Sequence, residues 1–231
     1  MLQTNPDSPD RKTRILDAAE RCFVRAGFHR TTMHDIAAEA GMSAGNLYRY
    51  FASKDAVVAG LSERDRREVA ESFAALKDSG GDFMAGFAEL GRRHFEDEPR
   101  EKAVLCLEIW AEATRNPEFR KLTGDFVADI VDRMTSLLEA ARAAGSITPA
   151  IDSRTIATLI CTMADGLFVR RAVLPDFEPA REVPTIMHVI GALVSGAVPA
   201  LPGAVPALPG ADSPPCGAAS ARASAPVEVS R

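Results

Sequence analysis

The chain has 231 residues, 46% of them hydrophobic and 26% charged, with a formal net charge of −5. That length allows one or two domains, and that composition supplies a buried core, which excludes a disordered or fibrous chain. The negative total excludes a general nucleic-acid binder. The charge is uneven, however: residues 1–54 carry 8 Lys and Arg against 6 Asp and Glu, and the remainder 19 against 26, as suits a protein that touches phosphates with one end only.

Strand-like alternation is nearly absent and apolar positions recur at helical spacing, so an all-α fold is expected. The first helix spans about residues 10–26, with Ile15, Ala19, Cys22, Phe23 and Ala26 as its apolar stripe and Gly27 as its stop. Thr32 starts a short second helix, and Asp35 three residues on completes a capping-box pattern. Gly41 closes that helix, Ser43 opens a third, and Ser53 caps a fourth that runs from Lys54 into the late 70s. Further helices are predicted over about 82–96, 100–115, 117–144, 152–174 and 182–197, separated by Pro99, Asn116-Pro117, Gly145 to Pro149 and Pro175 to Pro179. Val183 to Ala211 lacks Asp, Glu, Lys and Arg, but Pro199, Pro202, Pro206 and Pro209 interrupt it, so no membrane span is expected. The heptapeptide VPALPGA occurs twice from residue 198, and residues 198–231 read as a disordered tail rich in Pro, Ala and Gly.

Cys22, Cys106, Cys161 and Cys216 form no Cys-x-x-Cys pair and have no histidine at ligand spacing. Neither a metal site nor a cofactor is expected. Scattered thiols and a polar N-terminus without an apolar signal core point to a reducing cytoplasm.

The informative unit is Thr31 to Lys54. Two short helices meet at a turn where Gly41 tolerates left-handed angles. Ile36, Ala37 and Ala40 can pack on Leu47 and Phe51. The other face of the third helix shows Ala44, Gly45, Tyr48 and Arg49: little bulk at its start, then aromatic and basic groups. A helix laid into a major groove needs that arrangement. Tyr50 and Lys54 would lie toward phosphates, and the helix N-terminus at Thr32 offers a second phosphate seat. A rival match exists in GMSAG at 41–45, which fits the G-x-S-x-G nucleophile elbow, with Asp165 and His188 as nominal partners. That motif requires a preceding strand, whereas residues 35–40 read as helix, so Ser43 is expected to be an N-cap and the chain not an enzyme.

The run from Thr13 to Val57, with ILDAA, the F-x-x-x-G-F turn at Phe23 to Phe28, the Thr31-Thr32 pair, AG-x-S at 40–43 and G-x-L-Y-x-Y-F followed by Ser53-Lys54, resembles the DNA-binding domain of TetR/AcrR-type regulators. LEIWAEATRNPEFR and MADGLFVRR resemble the C-terminal domain of a subset of that family, the choline-responsive type among them. The resemblance implies a homodimeric one-component transcriptional regulator, most often a repressor, which binds a roughly palindromic operator in double-stranded DNA and is released by a small-molecule effector. Efflux or detoxification genes are frequent targets. It also implies DNA contacts at Thr32, Ser43, Gly45, Tyr48, Tyr50 and Lys54, with Arg49 compensating for an alanine at position 44.

The domains expected are a helix-turn-helix over 1–54 and a ligand-binding and dimerisation bundle over 55–197. Large apolar side chains between bundle helices are the candidate pocket: Phe87, Leu105, Ile109, Trp110, Phe126, Ile130, Met134 and Met163, with Glu108, Glu112 and Asp165 as polar candidates. Two apolar stripes, Ile156, Leu159, Ile160 and Leu167, then Ile186, Val189, Ile190 and Leu193, suit a four-helix dimer interface.

Overall fold

A computed structural model of the chain describes residues 9–78 and 83–200. The described residues form α1 (Pro9–Ala26), α2 (Met33–Glu39), α3 (Ala44–Leu47), α4 (Lys54–Asp78), α5 (Phe83–Arg92), a π-helical turn (Arg93–Asp97), α6 (Arg100–Ala113), α7 (Pro117–Ala143), α8 (Ser153–Val173) and α9 (Pro179–Val194), with no strand among them. Most of these helices start where a short polar side chain satisfies a free N–H. Thr32 and Asp35 make the expected reciprocal box, Ser43 Oγ accepts from Asn46 N at 3.3 Å, and Asn116, ahead of Pro117 in the first turn, accepts from Glu118 N at 3.0 Å. Asp152 caps α8 through Thr155 N at 2.9 Å.

Three elements differ from the sequence expectation. The fifth helix does not run unbroken to 96; after Arg92 it widens into the π turn. Phe95 of this turn is buried, and Arg171, itself buried, donates to the carbonyls of Phe95 and Glu98. The final helix starts at Pro179 rather than 182, because a proline costs nothing in a first turn that has no N–H partner to lose. The third helix is α-helical for only four residues, then continues as a single turn in which Phe51 N reaches Leu47 O at 3.0 Å.

The core has two large parts and a small one. Ile15, Cys22, Phe23, Ile36 and Leu47 form the first together with Val57, Val58 and Leu61 of α4, Leu105 of α6 and Phe119 of α7. Burial in this head therefore passes residue 54, and α4, α6 and α7 contribute to it. The second part is built from Phe73, Phe83, Phe87, Met134, Leu138, Ile156, Ile160, Ile190 and Leu193, and Val198 packs against it. Phe95, Leu167 and Val183 make the third. Among the described residues no helix is long and apolar enough to cross a membrane. From residue 201 on, the segment expected to be disordered lies outside the described residues.

Candidate nucleic-acid interface and ligand cavity

The turn between α2 and α3 is closed by Gly41 at φ +68°, an angle that L side chains rarely adopt. It presents Gly45, Tyr48 and Arg49 outward, while Ala44 is half-buried against the head core and Leu47 is fully buried. Tyr48 is 51% exposed, a large aromatic left in water on a short helix. A Cβ built on Gly45 would meet nothing within 4 Å, so the glycine leaves a shallow place on the outer face rather than relieving an internal clash. Tyr50 is half-buried against the head core. Ser43 caps α3 and is preceded by helix α2, not by a strand, while Asp165 and His188 lie on α8 and α9. The nucleophile-elbow match is thus a chance arrangement of a cap and two glycines.

Two expected phosphate contacts are committed elsewhere. Lys54 Nζ donates to the carbonyls of Phe28, Thr31 and His29 at 2.6, 3.0 and 3.3 Å, and lies 4.2 Å from the centre of the Phe28 ring. It clamps the α1–α2 turn, and its burial there lowers its pKa, against the smaller opposing pull of Asp55, Glu108 and Glu112. The α2 N-terminus holds a carboxylate: Asp35 Oδ2 accepts from Thr32 N at 2.8 Å and Thr32 Oγ1 at 2.7 Å. Those bonds hold the Asp35 carboxyl below the usual range, and its charge opposes an incoming phosphate.

The same turn is gripped from its other side. Glu108 of α6 accepts from Phe28 N at 2.5 Å, and a Cβ on Gly27, at φ +83°, would come within 2.9 Å of Glu108 Oε1. Glu112 takes Arg115 at 2.6 Å and lies 3.9 Å from His29. Leu105 and Ile109 of the same face pack into the head core.

The opposite face of α6, with Lys102, Ala103, Cys106 and Trp110, looks onto a cavity of about 420 Å³. α4 supplies Asp65, Val69 and Phe73, α5 and the π turn supply Phe87, Leu90, His94 and Phe95, α7 supplies Phe126, Ile130 and Met134, and α8 supplies Ile160, Asp165 and Phe168. Of the expected pocket residues, Phe87, Trp110, Phe126, Ile130 and Met134 are on this wall. Leu105, Ile109, Glu108 and Glu112 are not, because they occupy the head side of α6. Met163 packs against the second core instead. Burial raises the Asp165 carboxyl, and it raises Asp65 to about 6 against the opposing pull of Arg64 and Lys102. Burial also lowers the His94 imidazole, which favours its neutral form.

Residues 15–61 match the family model described as bacterial regulatory proteins, tetR family, and residues 94–195 match the C-terminal domain of the BetI-type transcriptional repressor. The HTH-type transcriptional regulator YfiR of Bacillus subtilis is 30% identical over 183 residues, covering 77% of this chain and 87% of its own. The chain belongs to the TetR family of transcriptional regulators. UidR of Escherichia coli K12, also an HTH-type regulator, is 26% identical over 192 residues, covering 82% of this chain and 93% of its own. Among solved structures, Salmonella enterica GusR superposes with a TM-score of 0.67 at 25% identity, over 82% of this chain and 99% of that one. This family consists of regulators, not enzymes.

In this TetR-family regulator the expected dimer stripes divide in two. Ile156, Ile160, Leu167, Ile190 and Leu193 are buried inside the single chain, and Ile160 faces the cavity. Ile186 is half-buried against the second core. Leu159 at 41% and Val189 at 43% are exposed, and so are Val169 and Val173 at 40% and 61%. Leu159, Thr162, Gly166, Val169 and Val173 follow one another at steps of three and four along α8, so the outward face is a second stripe, rotated from the inward one.

The sequence reading missed two kinds of cavity side chain and gave two further residues, Lys54 and Glu108, other roles. The cavity residues of α4 carry no aromatic signature except Phe73. The π turn cannot be read from periodicity. The two clamps on the α1–α2 turn, Lys54 and Glu108, join residues 26 and 80 positions apart.

Proposed function

We propose that the regulator is a homodimeric repressor whose heads grip the two halves of a palindromic operator and whose cavity takes a small-molecule effector that releases it. One observation carries this reading: α6 is shared, with one face clamped to the head through Leu105, Glu108 and Ile109 and the other forming cavity wall through Cys106 and Trp110. α4 is shared in the same way, through Val57, Val58 and Leu61 at its start and Asp65, Val69 and Phe73 further on.

An occupant of the cavity that displaces either helix moves the α1–α2 turn and with it α3. Its effect on operator affinity equals the difference between its affinities for the two arrangements. The division of labour follows this packing: the head through the first turns of α4 reads DNA, and the bundle up to α9 senses and dimerises. Tyr48, Gly45, Ala44 and Arg49 meet base edges and sugar-phosphate. Ser43, Thr32 and Tyr50 shape the surface, and Lys54 holds the head together rather than reaching a phosphate. The dimer contact uses the outer stripe of α8, Leu159, Val169 and Val173, beside Val189 of α9, with a second copy supplying the same surface across a two-fold axis. The protein acts where its DNA is, in the cytoplasm, and genes for removing the effector by efflux or breakdown are the natural targets of such a switch.

The test is a titration of the purified full chain onto DNA flanking its own gene, over a salt series, with scrambled DNA as control. The reading expects selective binding with a steep dependence on salt. Equal weak binding to both DNAs, together with a monomeric chain, would overturn it.

A further inference from the structure

Glu20, in the second half of α1, sends its carboxylate to a point where three helices meet. Its Oε2 accepts from Arg64 of α4 at 2.5 Å, and its Oε1 lies 3.2 Å from Lys102 Nζ of α6. Asp17, three residues earlier on the same face, takes the other terminal nitrogen of Arg64 at 3.1 Å. The two cations continue toward the cavity. Lys102 lies 3.1 Å from Glu98, Arg64 lies 3.4 Å from Asp65, and Asp65, Glu98 and Lys102 are all on the cavity wall. One carboxylate of the head is thus tied to that wall through side chains that are largely covered: 23% exposed for Glu20, 16% for Arg64 and 25% for Lys102.

Both partners keep their charge. Burial pushes the Glu20 carboxyl up, but Arg64 and Lys102 outweigh it and hold the group below its ordinary value. Burial pushes the Lys102 ammonium down, but Glu20 and Glu98 hold it above its ordinary value. A covered ion pair adds little net stability, yet removing one member leaves the other uncompensated. Its effect here is on position. Glu108 grips the turn that follows α1, and the Glu20 junction grips the helix itself. Two separated holds fix the direction of a helix, whereas one lets it pivot. α1 carries α2 with it through their shared core and through Arg21 and Arg25, which reach Glu39 at 2.8 and 3.2 Å. α2 leads through the Gly41 turn into α3.

We propose that Glu20 is a positioning residue for operator binding: held by Lys102 and Arg64, it sets the angle of the reading head on the cavity wall. The proposal rests on the reading of α3 as the DNA-contacting helix. A head free to pivot loses more freedom on docking, so breaking the tie weakens binding although neither side chain touches DNA.

The test measures affinity for a duplex that the full-length chain selects from a randomised library, below the unfolding transition, for the parent, Glu20→Gln, Lys102→Met and the double variant. Each single variant is expected to bind about three- to tenfold more weakly, and the double variant about as weakly as the worse single one, since both remove the same tie. The sign discriminates: Glu20→Gln removes a negative charge, so long-range electrostatics alone would tighten binding. Lys102→Arg, which keeps the charge, should recover most of the affinity, and every variant should keep the parent's salt dependence. Parent-like or tighter binding by Glu20→Gln would overturn the proposal even if its melting midpoint falls, because a merely structural pair affects stability alone. Losses that multiply in the double variant would overturn it too, as would a salt slope reduced by about 1 in Lys102→Met, the mark of a phosphate contact. Should Glu20→Gln not fold, Glu20→Asp draws the carboxylate back by one methylene and keeps its charge; weaker binding supports the tie, and parent affinity overturns it. A parent chain that selects no duplex sinks the DNA-reading account together with the tie. Selective parent binding that the variants leave unchanged sinks the tie alone.

Discussion

Replacing Lys54 with alanine distinguishes a structural ammonium from a phosphate anchor. The side chain makes two short bonds, to Phe28 O at 2.6 Å and Thr31 O at 3.0 Å, and a weaker one to His29 O at 3.3 Å. Partly exposed carbonyls regain some water when the ammonium is removed, so each short bond contributes about 1 kcal/mol net. The Phe28 ring beneath adds about 0.5–1 kcal/mol. Lys54→Ala should therefore destabilise the protein by about 2–3 kcal/mol, which for a chain of this size lowers the melting midpoint by roughly 5–10 °C. The assay is thermal unfolding followed by circular dichroism at one fixed protein concentration, since any self-association makes the midpoint depend on concentration. DNA binding is measured in parallel below the transition of both proteins. The account expects a lowered midpoint and a dependence of log affinity on log salt close to that of the parent protein. An unchanged midpoint, with that slope reduced by about 1, would show that Lys54 neutralises a phosphate and would refute the reasoning.

Glu108→Ala strips the carboxylate from the Phe28 amide, costing about 1–3 kcal/mol for the amide left unpaired; operator affinity should become less responsive to a cavity ligand, as read by anisotropy with and without it, and an unchanged response would remove α6 from the relay. Leu159→Glu and Val173→Glu should each give a folded monomer by sedimentation, whereas a stable dimer from both would mean that another surface joins the subunits. Asp65, with its folded pKa raised to about 6 by burial, binds its proton more tightly in the folded than in the unfolded chain. Arg64, Lys102, Glu20 and Glu68 are the charged groups acting on it. Its contribution to stability is therefore fully present below about pH 4 and is lost as pH rises through about 6. Asp65→Asn should accordingly raise the melting midpoint at pH 7 and leave it nearly unchanged at pH 4, and a lowered midpoint at pH 7 would reverse the assignment.

The helix-turn-helix was legible because its determinants are local. The Thr32–Asp35 box, the Ser43 cap and the left-handed Gly41 lie within a dozen residues, and each has a fixed spacing set by backbone geometry. The outward set Gly45, Tyr48 and Arg49 follows from the buried Leu47 by helical phase alone. The bundle was half-legible, for a physical reason. α6 and α8 are covered on more than one side, so neither has a polar face to fix its rotation. Leu105 and Ile109 differ from Cys106 and Trp110 in position by one residue, yet the first pair enters the head core and the second the cavity wall. Periodicity finds both stripes and cannot say which core each one meets. The same ambiguity sent the buried Ile156, Ile160 and Leu167 to the dimer face together with the exposed Leu159, and left out the exposed Val169 and Val173. Lys54 was placed toward phosphate for a different reason: a lysine after α3 is an available cation in sequence, and only the fold shows three carbonyls converging on it.

The most direct measurement is selection of bound duplexes from a randomised DNA library by the full-length chain, repeated with Tyr48→Ala. The account predicts enrichment of a single palindromic motif whose half-sites are centred about one helical turn, or a multiple of it, apart. It also predicts that Tyr48→Ala loses that enrichment while dimer and melting midpoint are retained, since this side chain is 51% exposed. No enrichment by the parent protein, or the same motif recovered by Tyr48→Ala, would contradict the claim that α3 is the surface by which this regulator reads DNA.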